Sequence, residues 1–379
     1  MKNKNIYLMY MICLLQGMVF YASIATTYRL ARGISLLQMG IIEAVFTLMM
    51  VILEIPWGYI CDRIGYKKTL IICNGLYFIS KIVFYFAFDF KMFLLERILL
   101  AIVSSGISGC DIGYLYECCD GKNSTKVFAY YNMLGTFGLL AGSIVFSLYI
   151  RDNIDLSGYL TIFPYLLAFV LTLFLDDIKK EKTVHIPVLG HLTKVINDKS
   201  LLLFLLASTL LCETTHELNT FLNQILYQRV NINIKWFGIL YASMMLIGLS
   251  GVFLERFEKH FGKDKLFNAC YLIGIVSCFI LFITRNKYIV IIMIALTVII
   301  ENMYIPLKHS KLNELIEESD RAIILSIYSL ITNMLTIITS LAFGYYSNIS
   351  INNALLLSML FVFIGWILYK ISTKNISKI

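Results

Sequence analysis

The sequence predicts an all-α membrane protein: twelve transmembrane helices in two pseudo-symmetric six-helix bundles. Three observations predict this fold. Hydrophobic residues make up 59% of the 379 positions and charged ones 15%, whereas a soluble domain carries about 25% charged residues. Twelve apolar runs follow one another, most of about 20 residues, enough to cross a ~30 Å hydrocarbon core at 1.5 Å per residue. The two halves also echo each other. Gly40 and Gly238 lie 198 residues apart, Gly65 and Gly262 lie 197 apart, and recurrence at nearly one spacing points to an internal duplication.

Span 1 is expected over about 6–30. The leading Met1-Lys2-Asn3-Lys4-Asn5 precedes an apolar run too long for a signal-peptide core, with no small-residue cleavage site, so it reads as a retained span. Its polar mid-span side chain is Gln16, with Gly17 leaving room and Phe20 one turn on. Spans 2 (36–57) and 3 (69–88) are joined by Gly58-Tyr59-Ile60-Cys61-Asp62-Arg63-Ile64-Gly65-Tyr66-Lys67-Lys68. So short a charged turn makes the two helices antiparallel neighbours. Gly65 suits a turn that glycine adopts cheaply, and Gly58 lets two helices approach. The pattern G-x-x-x-D-R-x-G-x-K-K resembles the signature loop between helices 2 and 3 of major facilitator superfamily transporters, with Tyr66 at one of its basic positions. The resemblance implies two bundles around a central cavity, alternating access, and a substrate site facing spans 1, 4, 7 and 10. It also implies that the loop is a latch. Asp62 would meet the start of span 11 near residues 319–322, and Arg63 the end of span 4 at Glu117 or Asp120.

Span 4 (92–117) opens with Glu96 and Arg97. Together with Glu43 and Lys81 they lie about one to two turns from the outer ends of their spans, which reads as a structural ion-pair network. Arg97 also resembles the arginine near the start of helix 4 of proton-coupled members, although Leu100-Ala101 stands where their Gln-Gly falls. Gly106, Gly109 and Gly113 then make a smooth face for close packing. Asp111 lies beside them, at a place where many bacterial members resemble this segment in carrying an acid. Span 5 (127–150) carries Gly135, Gly138 and Gly142, similar to the glycine motif of drug/proton antiporters, with Ala141-Gly142-Ser143 in place of its Gly-Pro. Span 6 covers about 158–175.

Residues 176–199 form the longest polar stretch, read as a cytoplasmic linker between an N-terminal bundle (1–175) and a C-terminal one (200–379). Span 7 (200–227) holds the densest polar group. Glu213, Glu217 and Thr220 recur at i, i+4 and i+7, with His216, Asn219 and Asn223 alongside. Carboxylate and imidazole placed together in a membrane can exchange protons near neutral pH. A zinc-protease H-E-x-x-H is broken by Thr220. Spans 8 (236–255) and 9 (266–284) follow. Span 10 (288–309) then places Glu301-Asn302 near its middle, with Thr297, Tyr304 and Lys308 at helical spacing and Pro306 expected to bend it. Ser319 or Asp320 is the expected N-cap of span 11 (322–346), and span 12 covers 353–371.

The basic residues test this topology. Outer loops hold Arg29, Arg32, Lys91, Arg151, Arg229, Lys235, Arg285 and Lys287. Apart from Lys81 and Arg97, the rest of the 32 Lys and Arg fall on the other side or in the tails. A bias of roughly three to one places both termini in the cytoplasm by the positive-inside rule, in a plasma-membrane protein. The formal charge of +8 is therefore topological and does not call for a nucleic-acid partner. Nine cysteines, an odd number without a C-x-x-C pair, support neither a disulfide framework nor a metal site.

The function expected is secondary active transport by alternating access: proton-coupled export of a small amphiphilic organic molecule or drug. The alternatives are proton-coupled uptake of a nutrient and a non-transporting membrane sensor. No nucleophile–base set suggests an enzyme, and no cofactor is called for. Coupling candidates are Asp111, Glu213, Glu217 and Glu301, with Arg97 modulating. Cavity candidates are Gln16, Phe20, His216, Thr220, Asn223 and Tyr304. The expected partners are the substrate, protons and the bilayer, around a monomer.

Overall fold

A computed structural model of the chain describes residues 2–119, 124–178, 199–315 and 321–376. Among the described residues there is no strand, and twelve helices are long and apolar enough to span a membrane. They are Asn3–Ala31, Leu36–Ile64, Tyr66–Phe86, Phe90–Cys118, Ser124–Ile150 and Ile154–Leu173, then Lys199–Arg229, Ile234–Phe261, Lys263–Ile283, Lys287–Glu314, Leu325–Ile349 and Ile351–Lys374. These are spans 1 to 12. Most of the linker, together with the expected span 11 caps Ser319 and Asp320, lies outside the described residues.

Local chemistry fixes the helix starts. Ser35 and Gln38 cap span 2 reciprocally, side chain to backbone in both directions (3.2 and 2.9 Å), an arrangement that satisfies two orphan amides. Asp89 accepts from Met92 N at 2.8 Å and Asn153 from Leu156 N at 3.1 Å, opening spans 4 and 6. A cap of this kind is worth about 1 kcal/mol.

Two compact units emerge. One gathers Met1–Ile34, Val45–Val184 and Ile234–Ala242; the other gathers Ser35–Ala44, His185–Asn233 and Ser243–Ile379. The two short segments that group with the opposite half of the chain are the beginnings of spans 2 and 8, and they contain the repeat partners Gly40 and Gly238. The reason is visible at each glycine. A Cβ on Gly40 would lie 2.6 Å from Ser340 O and 2.9 Å from Gly344 Cα of span 11, while one on Gly238 would meet the Ser143 carbonyl and Ser147 Oγ of span 5. In lipid, where apolar burial gives helices no reason to associate, this closeness of backbones is what holds them.

The duplication extends to the turns. Gly65 and Gly262 both have positive φ (85° and 79°), as do Gly33 and Asn231 (79° and 57°). Ile34 N donates to Arg29 O, and Ile232 N to Tyr227 O, at 3.1 and 3.0 Å. Asn231 tolerates the left-handed region better than most residues, which explains how a glycine position survives without glycine.

Several spans are not continuous α-helix. Span 1 stops at Gly17 and resumes as a tight turn at Ala22. The groups freed there find side chains of span 6: Gln16 O accepts from Tyr165 OH (2.6 Å), and Phe20 N donates to Thr161 Oγ1 (3.1 Å). Buried backbone in a bilayer is tolerated only with such replacements. Gly17 does not leave room for a ligand, because Gly135 and Gly138 of span 5 fill the space. Span 4 breaks between Ile107 and Cys110, where Gly109 has φ 78°. The reading of Gly106, Gly109 and Gly113 as one smooth face is thus corrected. Gly106 packs against Trp57 and Cys73, and Gly113 against Tyr66, whereas a Cβ on Gly109 would meet none of the described residues within 4 Å. Its role is conformational, since φ > 0 is costly for any residue with a Cβ.

Candidate functional site

Span 7 runs through the interior of the second unit, with 61% of its apolar window buried against 22–44% for the other spans. Along its polar stripe Glu217 and Asn223 are buried, whereas His216 and Thr220 are exposed. Midway, Leu218–Leu222 widens into a π-helical turn, a distortion that frequently marks a working site. The side chain of Asn223 donates back to Asn219 O at 2.6 Å, satisfying a carbonyl that the wide turn loosens.

Asn219 is the hub. Its Nδ2 donates to Glu301 Oε2 of span 10 at 2.6 Å, and its Oδ1 accepts from Thr297 Oγ1 at 2.7 Å. His216 Nδ1 stands 3.6 Å from the other carboxylate oxygen of Glu301. One carboxylate thus faces an amide donor and an imidazole that can carry charge. Glu301 keeps a fifth of its side-chain surface open and His216 about half, so the pair is reachable by water or a ligand. Glu301, His216 and Asn223 are among the candidates read from the sequence; Asn219 and Thr297 are not. The i, i+3 and i+4 relation of Asn219 to His216 and Asn223 was the signal available.

Glu217 points elsewhere. It is 7% exposed and lines a cavity of about 20 Å³ with Glu43, Gly40, Ser340 and Gly344, room for about one water. Glu213 and Glu217 face the hydroxyls of Thr336 and Ser340 on span 11. Thr220 is exposed within the wide turn. Tyr304 lies in the packed core, fully buried, hydrogen-bonded to Tyr271 OH (2.8 Å) and to Ser208 Oγ (3.1 Å).

In the first unit, Gln16 Nε2 donates to Asn74 Oδ1 at 2.5 Å, and Phe20 is 8% exposed. Asp111 opens the helix after the Gly109 break. It accepts from Ile112 N (2.7 Å) and Tyr131 OH (3.1 Å), and the positive end of the helix dipole favours an anion there. Arg97 stacks its guanidinium 4.5 Å over the Phe46 ring. Arg29 and Glu96, both almost fully buried, approach to 4.0 Å. Lys81 departs from the expected ion-pair network. Its ammonium is 3.1 Å from Tyr21 OH and lies over the rings of Tyr165 and Tyr77 at 4.8 and 5.0 Å. Among the described residues it makes no ion pair. Aromatic faces can hold a cation this way.

The signature loop sits at the end of a second cavity, of about 490 Å³, lined by Gly58, Cys61, Tyr66, Ser105, Gly109, Cys110 and Glu117 among others. Asp62, Arg63 and Lys68 are exposed and Lys67 is half-buried, with Gly65 making the turn. Among the described residues no ion pair joins Arg63 to Glu117. Asp120 and residues 316–320 at the other expected contact lie outside the described residues.

Twelve spans, a duplicated architecture and a titratable polar cluster inside the helices define a multi-pass membrane transporter for small solutes. The chain belongs to the Major Facilitator Superfamily, whose family model matches residues 6–286; its members are transporters and not enzymes. Similar curated proteins include the quinolone resistance protein NorA of Staphylococcus aureus (strain COL), 23% identical over 306 residues, covering 79% of this chain and 78% of NorA. An uncharacterised MFS-type transporter of Methanocaldococcus jannaschii is 22% identical, covering 72% of each chain. Among solved structures, the nucleoside transporter NupG superposes with a TM-score of 0.82 at 14% identity, covering 98% of both chains. A D-xylose-proton symporter gives 0.68, also at 14%, covering 96% and 97%.

Proposed function

We propose that this transporter is a proton-driven exporter of a small amphiphilic, preferentially cationic organic molecule. The observation that carries the reading is Glu301, held by Asn219 and His216 yet partly open. Protonating such a carboxylate removes the cost of moving its charge between environments, and so biases one conformation over another. The similarity to NorA supports export. The sign of the substrate is read from the interiors of spans 7 and 10, which hold Glu213, Glu217 and Glu301 against Lys308. Glu213, Glu217 and Asp111, with Arg97 modulating, are the further coupling candidates. A second reading, proton-coupled uptake, is favoured by the symporter among the structural neighbours.

We also place the protein in the plasma membrane as a monomer with both termini cytoplasmic, and Gln16, Phe20, His216, Thr220 and Asn223 along the substrate path. The deciding experiment is flux in proteoliposomes under an imposed pH gradient, with ethidium, a quinolone, a nucleoside and a pentose as probes. Ethidium or quinolone moving against the proton flow supports export, while nucleoside or pentose moving with it supports uptake. No gradient-driven flux of any probe class would return the sensor reading.

The signature loop is proposed as a latch whose Asp62 engages the start of span 11. Asp62→Asn is expected to stop transport with surface expression unchanged. Ethidium flux at the wild-type rate in that variant would remove the latch.

A further inference from the structure

We propose that Cys61 and Cys110 form a redox-sensitive thiol pair that closes to a disulfide when a peroxide enters the cavity beside span 4. Their sulfur atoms lie 3.7 Å apart, although 49 residues separate them in sequence. Both thiols line the cavity of about 490 Å³, whose wall also carries Ser105, Ser108, Glu54 and Glu117. That mixed, partly polar wall admits water and a molecule as small as hydrogen peroxide to sulfur atoms that are otherwise buried.

Closure requires the sulfurs to approach to about 2.0 Å. The backbone can yield at Cys110, while Cys61 lies in the last turn of the span 2 helix, its carbonyl accepting from Gly65 N. Cys110 is the first residue after the Gly109 break, and Cys61 is four residues before the Gly65 turn. What favours the pair is the proximity of the second sulfur.

The steps balance as follows. Peroxide oxidises the Cys61 thiol to a sulfenic acid, its O–O bond breaking and one water leaving. The Cys110 sulfur then attacks the Cys61 sulfur, the S–S bond forms, and the hydroxyl departs with the Cys110 proton as a second water. Two thiols are oxidised and one peroxide is reduced. The bond would tie the end of span 2, next to Asp62 and Arg63, to the residue preceding Asp111. In a reducing cytoplasm it is a transient state, reversed by thiol exchange.

The purified transporter in detergent is treated with hydrogen peroxide, denatured, and its free thiols are counted and its peptides mapped. The expected result is loss of two of the nine thiols, a cross-link joining residues 61 and 110, and full recovery with dithiothreitol. Cys61→Ala and Cys110→Ser should each abolish the cross-link, while a Cys118→Ser/Cys119→Ser variant should keep it. Nine thiols retained, a cross-link on another pair, or irreversible sulfinic acid at either position would overturn the proposal. The wild-type map decides even if a variant fails to fold.

Discussion

Glu301→Gln is expected to abolish the response of substrate flux to a pH gradient while leaving substrate exchange at equal pH in place. The glutamine carbonyl can still accept from Asn219 Nδ2, so the 2.6 Å contact that anchors span 10 to span 7 survives. What is lost is the capacity to carry a proton. For one proton per cycle, a gradient of one pH unit is worth about 1.4 kcal/mol, a tenfold accumulation. The variant should therefore fall from about tenfold accumulation of ethidium to none. Glu217→Gln separates the two acidic places. Glu217 belongs to the one-water cavity with Glu43 and not to the Asn219 hub. If Glu301→Gln keeps full gradient-driven flux, and so do Glu217→Gln, Glu213→Gln and Asp111→Asn, the proton-coupled reading is wrong.

Gly138→Val should prevent accumulation of folded protein. The new side chain would press on the backbone of span 1 at Leu14 and Gly17, with Gly17 Cα 3.0 Å from the first added carbon. Backbone cannot rotate aside as a side chain can. The two helices must separate, at a cost of about 1–3 kcal/mol or more from overpacking alone. Gly142→Ala is the matched control, since its nearest neighbour, Val19 O, would be 3.3 Å away, close enough to need only a small adjustment. Size-exclusion profiles and melting curves of the two variants should differ sharply. Equal profiles would mean that the span 1 to span 5 contact carries little of the stability.

The same contact shows how far sequence reasoning reached. Gly135, Gly138 and Gly142 were legible as a packing face, and their likeness to an antiporter motif was a statement about spacing. That Gly135 and Gly138 meet Gly17, and so close the space Gly17 was expected to leave, depends on which helix crosses span 5, and no local pattern carries that. Gly109 is similar. Three glycines at spacings of three and four suggest packing, and only the positive φ at the middle one reveals a break.

By itself the sequence determined the span count, the duplication and the class of protein. Hydrocarbon thickness sets the length of every apolar run, and a short charged loop leaves its residues little freedom. It also identified the acids, because a carboxylate inside an apolar run is conspicuous wherever it points. Only the tertiary structure decided their company. Glu301 falls to Asn219 and His216, Glu217 to Glu43, Asp111 to Tyr131, and Lys81 to a box of tyrosines. The physical reason is that helical periodicity fixes which face a side chain occupies. Which face lies opposite is set by the rotation and crossing of helices that are far apart in the chain.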